Sequence, residues 1–303
     1  MELFWTALRR KIVWTSDKWS DYEILDTTNG EKLERWDKYI LVRPDPQVIW
    51  NTEKTHKNWK KYNALYNRNS QGGGSWDIID LPETFSVKYD NFTFLLKPMN
   101  FKHTGLFPEQ AVNWDWCAGK IKNAHNARNT PINVLNLFAY TGAASIVCSR
   151  AGADICHVDA SKGMVSWAKE NAVLNNISNI RFIVDDCIKF VQKEQRRGKK
   201  YDAIIMDPPS YGRGPNGEIW KIEEELYKFM DLCTTILSDN PLFFLLNSYT
   251  TGFSAGCMKY LLEATLGKKF KGLITASEIG LPVKNSPYVL PCGASARFET
   301  INS

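Results

Sequence analysis

From residue 134 to residue 246, apolar runs alternate with segments of helical character, and this alternation constrains the fold more than any other feature. The five runs cover residues 134–138, 154–158, 180–184, 201–206 and 241–246. Apolar runs of this length, separated by helices, predict parallel strands of one buried sheet joined by crossovers. Two further strands fit residues 271–277 and 294–301. The sequence therefore predicts an α/β fold with a doubly wound, mostly parallel, seven-stranded, Rossmann-like sheet.

The first hundred residues follow a different rhythm, in which short extended runs are separated by turn signals. Asn29-Gly30 marks a tight turn, and Asp90-Asn91 separates two runs that are typical of a hairpin. We therefore predict two domains. A small β-rich domain covers residues 1–100, with a role in substrate or RNA binding, and a larger α/β domain covers residues 101–303.

The composition of the 303-residue chain excludes several classes of protein. Its seven cysteines are scattered, with no Cys-x-x-Cys pair, which predicts buried free thiols in a reducing compartment and no metal site. No stretch approaches the roughly 20 apolar residues of a membrane span. The amino-terminal residues lack the pattern of a signal peptide. We therefore expect a cytoplasmic protein without a membrane partner; the oligomeric state is left open, and a homodimer is compatible with the sequence.

The first three strands of the α/β region each end in residues suited to hold a cofactor with a ribose and an adenine. Gly142 allows a sharp turn, close approach of a ligand, and exposure of the next helix's free amides to a carboxylate. Asp159 can accept both ribose hydroxyls, and one of Asp185 and Asp186 can accept a hydrogen bond from the adenine amino group. The plainer interpretation is an ordinary turn followed by two helix caps. The Gly-x-Gly-x-x-Gly fingerprint of dinucleotide binding is absent, which disfavours an NAD oxidoreductase.

The fourth strand ends in Asp207-Pro208-Pro209, which predicts a site for a flat amine. The two prolines remove two amide donors and enforce an extended turn, so that oxygen acceptors remain for an amino group. Tyr211 can stack on a planar base. The alternative is a purely structural Pro-Pro turn.

These motifs resemble those of class I S-adenosylmethionine-dependent methyltransferases, and in particular the bacterial enzymes for guanine N7 and cytosine C5 of 23S ribosomal RNA. Residues 136–142 are similar to the first motif of that family, residues 158–161 to its acidic loop, and residues 207–211 to its catalytic Asp-Pro-Pro motif. Residues 103–110 look like a segment that folds over the cofactor.

The resemblance implies S-adenosylmethionine as cofactor, RNA as partner and no metal. The residues that it assigns to the cofactor are Thr104, Phe107, Gln110, Phe138, Tyr140, Thr141, Gly142, Asp159, Ala160, Ser161, Asp186 and Cys187. The residues that it assigns to catalysis are Asp207, Pro208, Pro209 and Tyr211. It also implies that the α/β domain is the methyltransferase domain.

The expected acceptor is a nitrogen of a nucleobase, most favourably in ribosomal RNA. Methylation at C5 of a pyrimidine needs a cysteine nucleophile. The chain has Ser248 and Tyr249 where the C5 enzymes carry that cysteine, and Cys257 is expected to be a core thiol. Two alternatives remain open: a methyltransferase for protein or small-molecule nitrogen, and a non-catalytic protein that binds the cofactor and RNA.

Residues 54–68 hold five Lys or Arg, three aromatic residues and no acid, which predicts contact with RNA. The candidate substrate residues are Lys57, Trp59, Lys60 and Lys61. The alternative is a solvated surface in which the tryptophan serves packing.

Overall fold

The computed structural model describes residues 13–69, 73–99, 101–127, 130–214 and 217–301. The chain forms two compact units: Met1–Val112 with Ile279–Cys292, and Asn113–Glu278 with Gly293–Ser303. The first unit is therefore discontinuous in sequence. The packing divides the chain after residue 112, whereas the functional division predicted at residue 100 stays a prediction.

The amino-terminal strands of the first unit are β1 (Val13–Thr15), β2 (Tyr22–Thr28), β3 (Glu31–Trp36), β4 (Tyr39–Pro44), β5 (Ala64–Arg68), β6 (Gly74–Ile78), β7 (Phe85–Tyr89) and β8 (Phe92–Leu96). β2 to β6 form one sheet in chain order, antiparallel except for the pair β4 and β5. β7 and β8 form a hairpin. Asn29 (φ 54°) and Gly30 (φ 75°) make the tight turn between β2 and β3. The predicted β-rich amino-terminal region is confirmed.

A buried ion network crosses β2, β3 and β4. The Arg43 guanidinium donates to both carboxylate oxygens of Glu34, at 2.6 and 2.8 Å. The Tyr22 hydroxyl donates to Glu34 at 2.6 Å, and the Lys32 ammonium lies 3.6 Å from it. Burial alone would raise the pKa of Glu34, but Arg43 and Lys32 outweigh it and lower that pKa to about 2. The sheet is thus held by a fully paired charge cluster in its interior.

The remaining strands are β9 (Ile132–Leu137), β10 (Ala153–Asp159), β11 (Ile180–Val184), β12 (Ala203–Met206), β13 (Tyr211–Arg213), β14 (Ile219–Lys221), β15 (Phe243–Ser248), β16 (Gly272–Pro282) and β17 (Val289–Thr300). Seven of them form, with β1 at the edge, an eight-stranded sheet in the order β1-β16-β17-β15-β12-β9-β10-β11. The predicted α/β fold with a mostly parallel sheet is confirmed, and β1 is an eighth strand that the sequence did not predict. The strands from β15 to β11 in that order are parallel, and β17 is antiparallel to β15. β1 lies beside the end of β16 that belongs to the first unit.

The helices are α1 (Ala111–Ala127), α2 (Ala143–Arg150), α3 (Lys162–Leu174), α4 (Cys187–Arg196), α5 (Ile222–Thr234) and α6 (Ala255–Thr265). The side-chain oxygens of Ser161, Asp186 and Ser254 cap the first turns of α3, α4 and α6. β12 and β15 are buried along their whole length, as expected for central strands of a sheet packed on both faces.

The cysteines correct one expectation from the sequence. All seven are free thiols and five are buried, but Cys257 is exposed on α6 and Cys292 is half-buried. Cys257 is therefore not a core thiol, because it lies on the polar face of its helix while Met258 faces the core. No helix in the described part of the chain is long and apolar enough to cross a membrane.

Candidate functional site

The predicted cofactor residues of the second unit lie where β9, β10 and β11 end. The strand order reverses between β9 and β12, because the chain first adds β10 and β11 on one side and then crosses to the other. Ligands of open α/β sheets bind outside the carboxyl ends of the strands at such a switch point. The sheet therefore brings the turns after β9, β10, β11 and β12 to one edge.

The turn from β9 to α2 is strained and firmly held. Phe138 (φ 53°) and Tyr140 (φ 51°) both adopt the left-handed conformation, which large side chains rarely take. The Phe138 amide donates to the Cys187 sulfur at 3.4 Å and the Tyr140 amide to the Asp159 carboxylate at 2.9 Å. The Ala139 amide donates to the end of β10 at 3.1 Å. Partners from β10 and α4 thus fix a turn that the local sequence alone would not favour.

Gly142 closes this turn and begins α2. Its φ of 87° is left-handed, and an added Cβ would lie 2.9 Å from the Cβ of Ala168 on α3. Both facts require glycine. No side chain caps α2, so the amides of its first turn are available to a carboxylate or another anion.

Asp159 sits at the end of β10 with both carboxylate oxygens engaged. One oxygen accepts from the Tyr140 amide at 2.9 Å and the other from the Ser161 amide at 2.8 Å. Burial raises the pKa of Asp159, and these two backbone hydrogen bonds oppose that rise. A carboxylate has about four lone-pair sites, so two remain for ligand hydroxyls. Ala160 is half-buried and Ser161, beyond its role as cap, is exposed.

A row of buried polar residues lies beneath the turn between β9 and α2. These residues were not identified from the sequence. The Asn136 amide donates to the Ser145 hydroxyl at 2.9 Å, and that hydroxyl lies 3.0 Å from Nδ1 of His157. The Asn171 amide donates to the Thr141 carbonyl at 3.0 Å. Burial lowers the pKa of His157 to about 3, so its imidazole is neutral. The polar Asn136 inside the apolar run of β9 was the available signal.

The acids after β11 have separate tasks. Asp186 caps α4 by accepting from the Lys189 amide at 2.9 Å. Asp185 accepts from the Asp186 amide at 3.0 Å and pairs with the Lys193 ammonium at 2.6 Å. The Cys187 thiol is buried against the Phe138 amide, so only the backbone of Cys187 can meet a ligand.

The turn after β12 carries the predicted catalytic residues. Pro208 is buried, Pro209 and Ser210 are exposed, and Tyr211 is 52% exposed at the start of the β13–β14 hairpin. Trp220 on β14 donates from its ring nitrogen to the Pro209 carbonyl at 2.6 Å. The Ser210 and Thr250 hydroxyls lie 2.6 Å apart and link the segments that follow β12 and β15.

Thr104, Phe107 and Gln110 belong to the first unit. The Thr104 hydroxyl is fully buried and makes no hydrogen bond within the part of the chain that the structure describes. Gln110 is buried, and the Phe107 ring lies 5.1 Å from that of His103. Their predicted contact with the cofactor stays a prediction.

The structure separates the four candidate RNA residues. Lys57, Lys60 and Lys61 are exposed in and after a short 3₁₀ helix (Lys57–Lys60). Trp59 is buried in the small core formed with Leu25, Leu33 and Val42, and its ring nitrogen donates to Asp26 at 2.7 Å. The ring of Trp59 is therefore used for packing, which favours the alternative interpretation of this tryptophan, and its contact with RNA stays a prediction.

Comparisons with known proteins agree with this geometry. Residues 62–229 match the family model described as "S-adenosylmethionine-dependent methyltransferase". The ribosomal RNA large subunit methyltransferase K/L of Shewanella frigidimarina is 32% identical over 203 residues, which are 66% of this chain and 25% of that protein. The ribosomal RNA large subunit methyltransferase I of Aeromonas salmonicida is 30% identical over 132 residues, 43% of this chain and 31% of that protein. The chain thus spans about a quarter to a third of the curated relatives it matches.

A crystal structure of a SAM-dependent methyltransferase from Agrobacterium tumefaciens matches with a TM-score of 0.87 and 36% identity, over 95% of this chain and 93% of that one. A protein crystallised with S-adenosylhomocysteine shares the fold, with a TM-score of 0.70 and 18% identity, over 98% of this chain and 80% of that one. A family model that covers more than half of the chain, together with this full-length neighbour, shows that the chain belongs to the S-adenosylmethionine-dependent methyltransferases.

Proposed function

We propose that the protein transfers the methyl group of S-adenosylmethionine to a nitrogen of a nucleobase in ribosomal RNA. The observation that carries the proposal is Asp207-Pro208-Pro209 at the end of β12, on the sheet edge that also carries Gly142 and Asp159. An oxygen acceptor beside two residues without amide donors suits an amino group or a ring nitrogen. The names of the relatives, which are ribosomal RNA large subunit methyltransferases, support RNA as the substrate.

The residues of the second unit fit the cofactor. When bound, S-adenosylmethionine supplies an electrophilic methyl group, so catalysis reduces to alignment and exclusion of water. We infer that Asp159 accepts the ribose hydroxyls, that Asp186 and the backbone of Cys187 meet the adenine, and that the first amides of α2 bind the carboxylate. Phe138, Tyr140, Thr141, Ala160 and Ser161 line the same turns.

At the other end of the site, Asp207 would accept a hydrogen bond from the acceptor amine, which leaves the nitrogen lone pair free to face the methyl group. Asp207 would then take up the proton that the methylated nitrogen loses. Tyr211, whose ring is exposed next to this turn, would stack on the base. Pro208 and Pro209 keep the turn extended, and the hydrogen bond from Trp220 fixes the Pro209 carbonyl. Transfer of a sulfonium methyl group to nitrogen needs no metal. The cysteine nucleophile that C5 methylation needs is absent from residues 207–211 and 247–252.

Nucleoside mass spectrometry of total ribosomal RNA, with and without the gene, tests the proposal. One methylated nucleoside is expected to disappear in the deletion strain. Purified protein should then transfer a tritiated methyl group to ribosomal RNA from that strain. Label in protein or in small molecules instead would favour the other acceptor classes, and no label in any fraction would indicate a non-catalytic cofactor-binding protein. A ribosomal RNA substrate would also place the protein in the cytoplasm.

Asp207→Ala sharpens this test. The variant should lose transfer while its affinity for S-adenosylhomocysteine stays within a few fold, because Asp207 is assigned to the acceptor. Asp239→Ala, which removes an exposed acid of the same unit, is the matched control and should transfer normally. Unchanged turnover of Asp207→Ala would remove this residue from the mechanism.

A further inference from the structure

The first unit contains an open cleft to which neither the motifs nor the family relationship gives a role. Its volume is about 950 Å³. That is near the upper end of the roughly 300–1,000 Å³ of ligand pockets, so it has room for an extended ligand. Its walls are formed by the end of β2, by Trp50, Thr52 and residues 55–57, and by most of residues 283–291, which run from the turn after β16 into the start of β17.

Tyr288 presents an aromatic ring in this cleft. Its side chain is 73% exposed, although it lines a concave surface. Its amide donates to the Ser286 hydroxyl at 3.0 Å, and its carbonyl accepts from the Val283 amide at 3.0 Å. An exposed ring on a fixed backbone loses little conformational entropy when a flat ligand stacks on it.

The turn that carries Tyr288 is itself anchored to the sheet of the first unit. The Lys284 amide donates to the Ile24 carbonyl of β2 at 2.8 Å, and Ile24 and Val283 form a parallel bridge. The Lys284 ammonium pairs with Glu23, also on β2, at 2.7 Å. The position of the ring in the cleft is therefore determined by β2.

Positive charge lies on one side of the same cleft. Lys57 lines it, and Lys60 and Lys61 follow in and after the same 3₁₀ helix. These three ammonium groups have no ion pair with any other described residue. The acid in the cleft, Asp26, already accepts from the Thr27 amide at 2.8 Å and from the Trp59 ring at 2.7 Å. The unpaired ammonium groups suit phosphates.

We propose that this cleft binds unpaired nucleotides of the RNA substrate, with Tyr288 stacking on a base and Lys57, Lys60 and Lys61 contacting phosphates. The inference rests on the proposed function and names the surface that holds its RNA. A flat exposed ring favours single-stranded RNA over a duplex, whose base faces are covered, and over an acidic peptide, which has charge without flat rings. Tyr288 thereby supplies an exposed aromatic ring, which the buried Trp59 does not.

Binding of labelled RNA to the full chain tests the proposal. The probe is a single strand of about 12 nucleotides, compared with the same strand in a duplex. The single strand should bind more tightly, and Tyr288→Ala should weaken it by about 10-fold, or roughly 1.4 kcal/mol. Tyr288→Phe should bind as the wild type does. Tyr260→Ala, which removes a tyrosine of α6 that is 71% exposed, is the matched control and should change nothing.

Salt dependence tests the lysines separately. Replacing Lys57, Lys60 and Lys61 with alanine should flatten the slope of log affinity against log salt by about 0.7 for each lost phosphate contact. Replacing all three with arginine should keep the slope. An identical slope in the alanine variant, equal binding of single strand and duplex, unchanged affinity in Tyr288→Ala, or stronger binding of poly-glutamate than of RNA would overturn the proposal.

Methyl transfer distinguishes failure of this inference from failure of the proposed function. If the wild type methylates ribosomal RNA and Tyr288→Ala leaves the KM for RNA unchanged, the cleft proposal is wrong and the proposed function stands. If the wild type methylates no RNA, the proposed function is wrong, even where binding of the single strand depends on Tyr288. The expected result is a raised KM for RNA with unchanged affinity for S-adenosylhomocysteine.

Discussion

The buried ion network of the first unit and the buried polar row beneath the cofactor turn of the second unit are built in different ways. In the first unit, Glu34 and Arg43 lie inside the five-stranded sheet, 0% and 4% exposed, and satisfy each other's charge. In the second unit, the buried polar residues beneath the turn that holds Gly142 are Asn136, Ser145 and His157, and all three are neutral. Away from that turn, the second unit also buries a charged residue, Glu194, which pairs with Arg197 at 2.7 Å. The Nε2 atom of His157 has no hydrogen-bond partner among the described residues.

This difference indicates different uses of buried polarity. The ion network joins three strands, so its loss should affect the stability of the first unit and leave the chemistry of the second untouched. The neutral row supports the turn that holds Gly142 and faces Asp159, so changes there should affect ligand binding more than folding. The following predictions test this contrast, beginning with the largest effect.

Glu34→Ala should lower the free energy of unfolding by about 3–5 kcal/mol, because it leaves the Arg43 guanidinium buried without its carboxylate partner, while Lys32 keeps only Asp45 at 3.2 Å. Chemical denaturation measures this loss. Glu263→Ala, which breaks the exposed pair with Lys259 on α6, is the control and should cost at most about 1 kcal/mol. A similar small loss for both variants would show that the network is not structural. If Glu34→Ala does not fold, Glu34→Gln can be measured instead, because it removes the charge and keeps the shape of the side chain; its loss of unfolding free energy should be smaller.

Asp159→Ala should weaken binding of S-adenosylhomocysteine by about 1.5–3 kcal/mol, because a charge-assisted contact is lost. Titration calorimetry measures the dissociation constant. Asp154→Ala is the matched control: Asp154 is an exposed acid near the start of the same strand, β10. Equal affinities of the wild type and Asp159→Ala would contradict the ribose assignment.

Gly142→Ala should reduce the free energy of cofactor binding by more than it reduces the free energy of unfolding. The left-handed conformation costs an L-residue about 1–2 kcal/mol, and the new Cβ must displace Ala168. The displaced turn should lose affinity for S-adenosylhomocysteine. Gly198→Ala, at a left-handed position with open space around it, controls for the conformational cost alone. Equal affinity of both variants would show that the close contact with α3 has no role.

His157 should make stability depend on pH. Its folded pKa of about 3 lies below the ordinary value of 6.5, so the unfolded chain binds the proton more readily. The contribution of His157 to the free energy of unfolding should be fully present above pH 6.5. Below that pH it should fall by up to about 1.4 kcal/mol per pH unit. Burial also lowers the pKa of His103 to about 4, so two histidines contribute. His157→Gln should remove about half of the slope between pH 6 and 5. An unaltered slope would exclude His157 as its source.

Much of the second unit could be predicted from its sequence. The apolar runs identified the sheet, and Asp186 was one of the residues for which a helix cap was the plainer interpretation, because these signals are local in the chain. The position of the site at the carboxyl ends of the strands followed from the prediction that these strands are parallel. The support given by Asn136 and His157 could not be predicted, because it depends on which strands are neighbours.

The first unit was less predictable for a physical reason. Glu34 is one of four charged residues in β3, and Arg43 ends the apolar run of β4 just before Pro44, so the sequence does not reveal that the two are buried as a pair. Trp59 lies in a basic segment and was assigned to RNA, although non-local contacts place it in the core. Residues 279–292 carried no signal that links them to the amino-terminal region.

The first unit is formed by two separate segments of the chain, and this determines which truncated forms of the protein can fold. A fragment that ends at residue 112 lacks Ile279–Cys292, and with it Tyr288 and the turn bridged to β2. Deleting the amino-terminal region would in turn leave the ends of β16 and β17 without the strands on which they pack. RNA binding and methyl transfer should therefore be separated by point substitutions in the intact chain, because neither truncation produces a whole folding unit.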